Sequence, residues 1–215
     1  MKAINNGYFK DEIIPVEIEE VWHENGERKS LTRKVTDDEG PRKDTDLDEL
    51  SKLKPVFRKN GTITAGNASQ RSDGAVFVLV MSEHLVKELN IEPVARLVGC
   101  SVAGVDPRIM GIGPAEAIPK VLRQTGLEMK DIDLIEINEA FAAQTLAVIR
   151  ELDIDGEMVN VNGGAIAIGH PLGATGCKLT VQTISELRRR EKKYGLISAC
   201  VGGGQGIAGI VERLK

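Results

Sequence analysis

Residues 159–180, VNVNGGAIAIGHPLGATGCKLT, constrain the fold of this 215-residue chain more than any other stretch. The stretch holds five glycines around a single histidine, His170, and a helical pattern of apolar residues follows it. Glycines at this density let the backbone adopt positive φ angles and approach a ligand closely. The proline after His170 favours an extended backbone there, and a helix beginning soon afterwards points its positive dipole end at the imidazole. That field disfavours imidazolium, so we expect a neutral histidine able to accept a proton.

Taken alone, the glycine-rich stretch leaves its role open. No Gly-Lys-Ser/Thr sequence follows the glycines, so the stretch is not a P-loop, and their spacing does not match a dinucleotide fingerprint. A structural turn that happens to carry a histidine fits the stretch equally well.

Composition restricts the class of protein. A net charge of -4 provides no electrostatic footprint for nucleic acid or an anionic membrane. The odd number of widely spaced cysteines, three, fits free thiols in a reducing cytosol better than disulfides or a zinc site. No apolar run reaches transmembrane length, and the opening residues lack the apolar core of a signal peptide. We therefore expect a cytoplasmic protein with no metal, no nucleic-acid partner and no membrane partner.

Residues 1–71 differ in character from the rest of the chain, because short β-prone runs there alternate with charged and turn-forming residues. Asn-Gly between two β-prone runs is a strong hairpin signal. The charged run that follows is typical of a solvated surface segment. The predicted elements are a strand at 13–18, a turn at 25–26, a strand at 31–35, a short helix at about 47–53 and a compact polar turn at 66–69.

A continuous apolar run at 75–81, AVFVLVM, marks a change in character. Such a run is typical of a strand buried on both faces of a sheet. From Pro93 onward, strand patterns alternate with helix patterns, which predicts a layered α/β domain. Further strands are predicted at 93–105, 133–137, 195–201 and 206–211, with a β-prone run at 159–161, and helices at 83–89, from 113, from 138 and after the glycine-rich stretch.

Three polar residues, Asn138, His170 and Cys200, lie where predicted strands end. The carboxyl ends of strands meet at one edge of an open α/β sheet, so these residues can converge. The three glycines after Cys200 expose backbone N–H donors that suit an oxyanion, beside a thiol that suits proton transfer. Separately, Cys200 is most simply a small buried residue and Asn138 a helix N-cap. Their coincidence favours a catalytic site.

Ordered motifs along nearly the whole chain resemble those of thiolases. The three C-terminal thiolase motifs are matched by 138–141 (NEAF), 162–176 (NGGAIAIGHPLGATG) and 200–204 (CVGGG). Residues 64–69, TAGNAS, resemble the turn that contacts CoA in this family, and 106–114 resemble its substrate-side loop. The resemblance implies an α/β fold in which a layered α/β/α thiolase C-terminal domain is preceded by part of the loop domain.

The resemblance also implies a domain division and an activity. Residues 1–71 would be the remainder of the loop domain, 72–92 the last strand and helix of the N-terminal domain, and 93–215 the C-terminal domain. The implied enzyme is an acyltransferase of lipid β-oxidation, a 3-ketoacyl-CoA thiolase that catalyses CoA-dependent cleavage or the reverse Claisen condensation. Coenzyme A would be a substrate, with no covalently bound cofactor. The segments 39–42 and 70–74 favour this degradative type over a biosynthetic acetoacetyl-CoA thiolase.

Residue roles carry over from the thiolase motifs. His170 would activate the nucleophilic cysteine and, with a water held by Asn138, bind the thioester oxygen. Cys200 would be the general acid/base at the substrate α-carbon, and Gly202 would donate its N–H to a second oxyanion hole. The implied CoA-binding and acyl-binding residues are Arg42, Phe57, Ala68, Ser69, Met110 and Phe141.

One departure from the thiolase pattern is large. Neither Cys100 nor Cys177 has the sequence context of the family's acylated cysteine, so we expect the nucleophile and the N-terminal half to be absent. The expected partners are CoA thioesters and either a thiolase N-terminal half or further copies of the chain. A CoA-binding or scaffolding half without catalysis, and a truncated remnant, are the alternatives.

Overall fold

The computed structural model describes all 215 residues, and they form two units, Met1–Thr45 and Asp46–Lys215. The first unit contains a short helix α1 (Lys2–Asn5) and an antiparallel hairpin of β1 (Val16–Glu24) and β2 (Glu27–Val35). Asn25 and Gly26 form the turn with φ angles of 53° and 81°. Positive φ at both positions is the geometry of the type I′ turn, which matches the twist of paired strands. The predicted hairpin is confirmed, although β1 begins later than residue 13.

The second unit is built on a four-stranded sheet in the order β3-β6-β5-β4. Only β4 and β5 run parallel, and the other neighbours pair antiparallel. The elements of this unit are α2 (Leu47–Ser51), α3 (Glu83–Glu88), β3 (Ala95–Gly104), α4 (Gly113–Thr125), β4 (Leu134–Ile137), α5 (Ala142–Glu151), α6 (Ala165–Ile168), α7 (Thr175–Arg189), β5 (Tyr194–Val201) and β6 (Gln205–Arg213), with 3-10 turns at Pro107–Ile112, Met129–Asp131 and Gly156–Met158.

Two apolar clusters lie on opposite faces of this sheet and account for the layered fold. Along β4, Leu134 packs with Leu187 of α7, whereas Ile135 belongs to the cluster under α4 and α5. Successive strand residues point to opposite faces, so α7 covers one face and α4 and α5 cover the other. Each fully buried side chain of this size contributes about 1.5–3 kcal/mol to folding. The fully buried members of the larger cluster are Ala117, Ile118, Val121, Ile135, Ile137, Val148, Leu196, Ala208 and Ile210.

The apolar run at 75–81 does not form the predicted strand. Its side chains are largely exposed, with Phe77 at 93%, Leu79 at 81% and Val80 at 75% of their maximal accessible surface. A strand exists only when its N–H and C=O groups pair with a neighbour, and neither sheet of the structure supplies one. The prediction was therefore wrong for this chain, and a large apolar segment lies open.

Two smaller predictions near the site also fail. The β-prone run at 159–161 makes a single parallel bridge, Val159 to Ile135, instead of a strand. The helix predicted to start at Asn138 begins at Ala142, so Asn138 is not its N-cap. The loop between β4 and α5 is therefore longer than expected, and Asn138 is available for other contacts. The proposed domain boundaries after residues 71 and 92 remain predictions.

None of the helices combines the length and the apolar character needed to cross a membrane.

Candidate active site

Asn138 and Cys200 lie at the same edge of the sheet because β4 and β5 are parallel neighbours. Asn138 directly follows β4 and is 1% exposed, and its N–H donates to the carbonyl of Ser198 on β5 at 2.9 Å. Cys200 lies two residues further along β5 and is half-buried. The strand arrangement thus places these two predicted site residues close to each other, as the carboxyl-end rule indicates.

His170 reaches this edge from a loop between α6 and α7, and not from a strand end as predicted. Its Nε2 lies 3.4 Å from Asn138 Nδ2, and its Nδ1 lies 2.6 Å from Thr175 Oγ1. Its backbone N–H donates to the Gln70 carbonyl at 3.0 Å. The ring is therefore held on both nitrogens and at its backbone, with Asn138 as the partner on the sheet side.

The surroundings of His170 and Cys200 shift their pKa values in opposite directions, and both shifts favour the neutral form. Burial and the nearby ammonium of Lys178 lower the pKa of His170. Burial raises the pKa of the Cys200 thiol, partly offset by a hydrogen bond from its own backbone. Near neutral pH the imidazole can therefore take up a proton and the thiol can give one, which is the pairing that acid/base catalysis needs.

The turn at 64–69 packs against the segment that follows Asn138. Ser69 N–H donates to the Ala140 carbonyl at 3.0 Å, and Ala142 N–H donates to the Asn67 carbonyl at 2.9 Å. Ala68 forms an antiparallel bridge with Phe141, and the Phe57 ring meets the Phe141 ring edge-on at 6.0 Å between centroids. Four of the residues assigned to CoA or acyl binding are thus brought together beside Asn138: Phe57, Ala68, Ser69 and Phe141.

Three other predicted residues lie elsewhere. Met110 is in the 3-10 turn Pro107–Ile112 that precedes α4. Arg42 belongs to the first unit, where it is exposed. Gly202 lies in the tight turn from β5 to β6 and is exposed, and a Cβ there would meet nothing within 4 Å. A ligand can therefore approach the backbone of this turn closely.

Comparison with known families decides what these motifs belong to. The family model of the thiolase C-terminal domain matches residues 91–213, and that of the thiolase N-terminal domain matches residues 1–84. The chain belongs to the thiolase family. The predicted α/β thiolase fold is confirmed.

The thiolase relatives are similar over nearly the whole chain. The 3-ketoacyl-CoA thiolase of Bacillus subtilis is 50% identical over 213 residues, which cover 98% of this chain and 54% of the relative. The human mitochondrial 3-ketoacyl-CoA thiolase is 53% identical over 212 residues, covering 98% of this chain and 51% of the relative. The crystal structure of the human enzyme in complex with CoA superposes with a TM-score of 0.86 at 49% identity, covering 99% and 51% of the two chains.

The chain spans about half the length of these curated thiolases. The expectation that the thiolase N-terminal half is absent is wrong as stated, since the N-terminal domain model matches residues 1–84. Residues 1–71, which the sequence interpretation assigned to a loop domain, lie within the region that the thiolase N-terminal domain model matches.

The thiolase glycine-rich stretch is held by residues whose roles the sequence interpretation missed. Glu139, quoted only as part of a motif, accepts hydrogen bonds from Asn160 Nδ2 at 2.8 Å and from Ile166 N–H at 3.1 Å. Gly164 is required there, because a Cβ would overlap the Glu139 carboxylate. Gln70 Nε2 donates to the Ile166 carbonyl at 2.8 Å. The signal that could have pointed to this role was the carboxylate residue Glu139, three residues before α5, together with the glycine at position 164.

Glu186 of α7 anchors the start of the same stretch and predicts a pH dependence of stability. Its buried carboxylate accepts from Asn162 Nδ2 at 2.9 Å and pairs with Arg189 and Arg190. Burial alone would raise the pKa of Glu186, but the hydrogen bonds from Arg189, Asn162 and Arg190 outweigh it and lower the pKa. A carboxyl whose folded pKa is depressed stabilises the fold above its unfolded pKa, and this contribution is lost as the pH falls through the folded pKa.

Urea unfolding of the chain at a series of pH values tests this expectation. We expect Glu186→Gln to lower the free energy of unfolding at pH 7 by about 1.5 kcal/mol, as for loss of hydrogen bonds to a charged group. The difference between the two proteins should shrink as the acid range is entered. Glu191→Gln, an exposed change two residues beyond α7, is the control. A difference in the free energy of unfolding that does not change with pH would contradict the lowered pKa assigned to Glu186.

Proposed function

We propose that this chain carries the acid/base part of a 3-ketoacyl-CoA thiolase, which cleaves a 3-ketoacyl-CoA with CoA or runs the reverse Claisen condensation. The observation that supports this most directly is the placement of His170 Nε2 3.4 Å from Asn138 Nδ2, at the sheet edge where Cys200 is the penultimate residue of β5. Two of the relatives are named 3-ketoacyl-CoA thiolases, and the residues of this site suit that chemistry.

In the proposed cleavage, neutral His170 takes the proton of a nucleophilic thiol, and the thiolate attacks the 3-keto carbon to form an acyl thioester. The bond between the α-carbon and the keto carbon breaks, and the electron pair passes to the acetyl-CoA enolate. Cys200 gives its proton to that α-carbon, and the Cys200 thiolate later takes the proton of the incoming CoA thiol. The CoA thiolate takes the acyl group as acyl-CoA, and the released nucleophilic thiolate takes back the proton that His170 holds. The depressed pKa of His170 and the raised pKa of Cys200 suit these starting states.

Two sets of hydrogen-bond donors would stabilise the negatively charged oxygen atoms that form during the reaction. His170 and a water held by Asn138 would bind the thioester oxygen, and Asn138 Oδ1 is a buried acceptor without a hydrogen-bond partner within the protein. Buried polar atoms are normally paired, so an orphaned acceptor here fits a site that is completed by water or substrate. The backbone of Gly202, in an exposed turn, would serve the second oxyanion.

Coenzyme A is proposed as a substrate that binds across the turn at 64–69. Ser69, Ala68 and Phe57 lie together beside Phe141, and this arrangement offers one surface for the pantetheine end and the acyl group. The human relative whose structure contains CoA supports the choice of ligand. Arg42 and Met110 are proposed as further contacts. We also propose a role in fatty-acid β-oxidation and a cytoplasmic location, and the three free cysteines fit a reducing compartment.

The chain by itself is proposed to be inactive and to require a partner that supplies the nucleophile. Cys100 and Cys177 are exposed, and neither forms a hydrogen bond to His170. The exposed apolar run at 75–81 favours association with another polypeptide, either a thiolase N-terminal region or a second copy.

An assay of the purified chain, alone and co-expressed with the N-terminal region of the Bacillus subtilis relative, tests the proposal. We expect no acetoacetyl-CoA thiolysis by the chain alone, self-association by light scattering, and thiolysis by the combination. Thiolysis by the chain alone as a monomer would contradict both expectations, and its loss in Cys100→Ala or Cys177→Ala would then identify the nucleophile. CoA binding without thiolysis in the combination would favour a non-catalytic CoA-binding half.

A further inference from the structure

Lys178 lies one turn inside α7 and contacts the residue that precedes His170. Its Nζ donates to the Gly169 carbonyl at 3.2 Å. Gly169 has a φ of 88°, and a Cβ at this position would overlap the Ser72 hydroxyl. The backbone at Gly169 is therefore packed against residues 70–72 on one side and bound by an ammonium on the other. The charge of Lys178 is held next to the imidazole by this contact.

The other charged and titratable groups near the ring come from the remaining elements packed against it. Arg71 pairs with His170 through a backbone bridge, and the residue is exposed. The Glu139 carboxylate accepts hydrogen bonds from Asn160 Nδ2 and from the Ile166 N–H. Cys200, at the end of β5, is a neutral thiol because burial raises its pKa. Lys178 is thus the charge that acts on the imidazole.

We propose that Lys178 is a positioning residue that keeps His170 a neutral imidazole by holding a fixed positive charge at the Gly169 carbonyl. An ammonium close to a half-buried ring makes a second positive charge there unfavourable, since charges in a partly desolvated site are screened weakly. The N-terminal end of α7, with Thr175 on Nδ1, acts in the same direction. The lowered pKa of His170, for which burial is the larger cause and Lys178 the second, agrees with this arrangement.

The role matters for catalysis only if His170 is the proton acceptor proposed above, but it can be measured on the imidazole itself. The chain contains three histidines, and His23 and His84 are both exposed. Titration of the chain labelled on histidine, followed by NMR, gives a separate midpoint for each ring. His23 and His84 then serve as internal references. A thiolase assay that fails would leave this result standing.

Three substitutions at Lys178 separate its charge from its hydrogen bond. Lys178→Met removes both, Lys178→Gln keeps a donor for the Gly169 carbonyl, and Lys178→Arg keeps both. We expect the His170 midpoint to shift upward in the methionine and glutamine variants and to stay unchanged in the arginine variant. The matched control is Lys120→Met. Lys120 lies on α4, and its Nζ also donates to a backbone carbonyl, that of Val102, at 2.7 Å.

A His170 midpoint that stays unchanged in folded Lys178→Met and Lys178→Gln overturns the proposal. An equal upward shift in Lys120→Met overturns it as well, because the effect would then belong to net charge. If neither neutral variant folds, the unmodified chain is titrated at low and high salt. A His170 midpoint that rises with salt relative to His23 then supports the charge effect, and one that does not rise overturns it.

Discussion

His170→Ala is expected to lower the kcat of thiolysis by about 10²–10⁴-fold in the combination of this chain with a thiolase N-terminal region, the range typical of positioned acid/base groups. Cys200→Ser should fall in the same range, because the hydroxyl is a far weaker acid and its conjugate base is not accessible near neutral pH. Both residues are placed to act on bonds that change, and neither belongs to the turn at 64–69 that is proposed to hold CoA. The dissociation constant for CoA, measured by calorimetry, should therefore change little.

The matched control for the histidine substitution is His84→Ala. His84 lies on α3 with its side chain 87% exposed, so its removal should leave both kcat and CoA affinity unchanged. Weaker CoA binding at unchanged kcat in His170→Ala or Cys200→Ser would contradict the assigned roles. Equal loss in His84→Ala would point to a general effect on folding or assembly.

Gly206→Ala is expected to destabilise the fold by about 3 kcal/mol, the upper part of the range for overpacking. A Cβ at Gly206 would overlap the backbone carbonyl of Gly113, which begins α4. Backbone cannot rotate away as a flexible side chain can, so β6 or the start of α4 must move. Gly206 also pairs with Cys200 across the sheet, so that movement reaches the site. Urea unfolding at neutral pH measures the loss.

Gly209→Ala is the control for this change, on the same strand. A Cβ at Gly209 would meet its nearest neighbour, the Gly99 carbonyl oxygen, at 3.7 Å, which is an ordinary contact. The free energy of unfolding should then change little. Similar losses in the two variants would show that any side chain at a glycine of β6 disturbs the sheet, and that the contact between Gly206 and α4 is not the cause.

Much of the C-terminal domain could be predicted from the sequence because its patterns are local. The strand that ends at Ile137 is buried on both faces, the one that ends at Val201 is buried or half-buried up to Cys200, and both appear as short, mainly apolar runs bounded by turn residues. The convergence of Asn138 with Cys200 followed from the general rule about strand ends. The hairpin of β1 and β2 could be predicted from the Asn25-Gly26 signal between two β-prone runs.

The failures concern features that depend on distant partners. The run at 75–81 has the composition of a buried strand, but strand formation requires a neighbour, and no local pattern reveals whether one is present. His170 reaches the sheet edge through contacts with Gln70 and Thr175, and not through a strand of its own. The contact of Lys178 with Gly169 depends on how α7 is oriented, which the spacing of residues does not fix.

The hydrogen bonds between residues 70–72 and the glycine-rich stretch have a consequence for how the enzyme is made. Gln70 and Ile166, joined by one of these bonds, are 96 positions apart in the chain. Contacts between such distant residues form slowly in folding, because the chain loses the entropy of closing a long loop before the contact stabilises it. Of the four strands of the sheet, only β3 and β4 lie between Gln70 and His170 in the chain, and β5 and β6 follow both residues. During synthesis, a nascent chain that has passed the turn at 64–69 does not yet hold His170, and Cys200 on β5 follows later still, so the residues proposed for the site come together only when the C-terminal strands have been made.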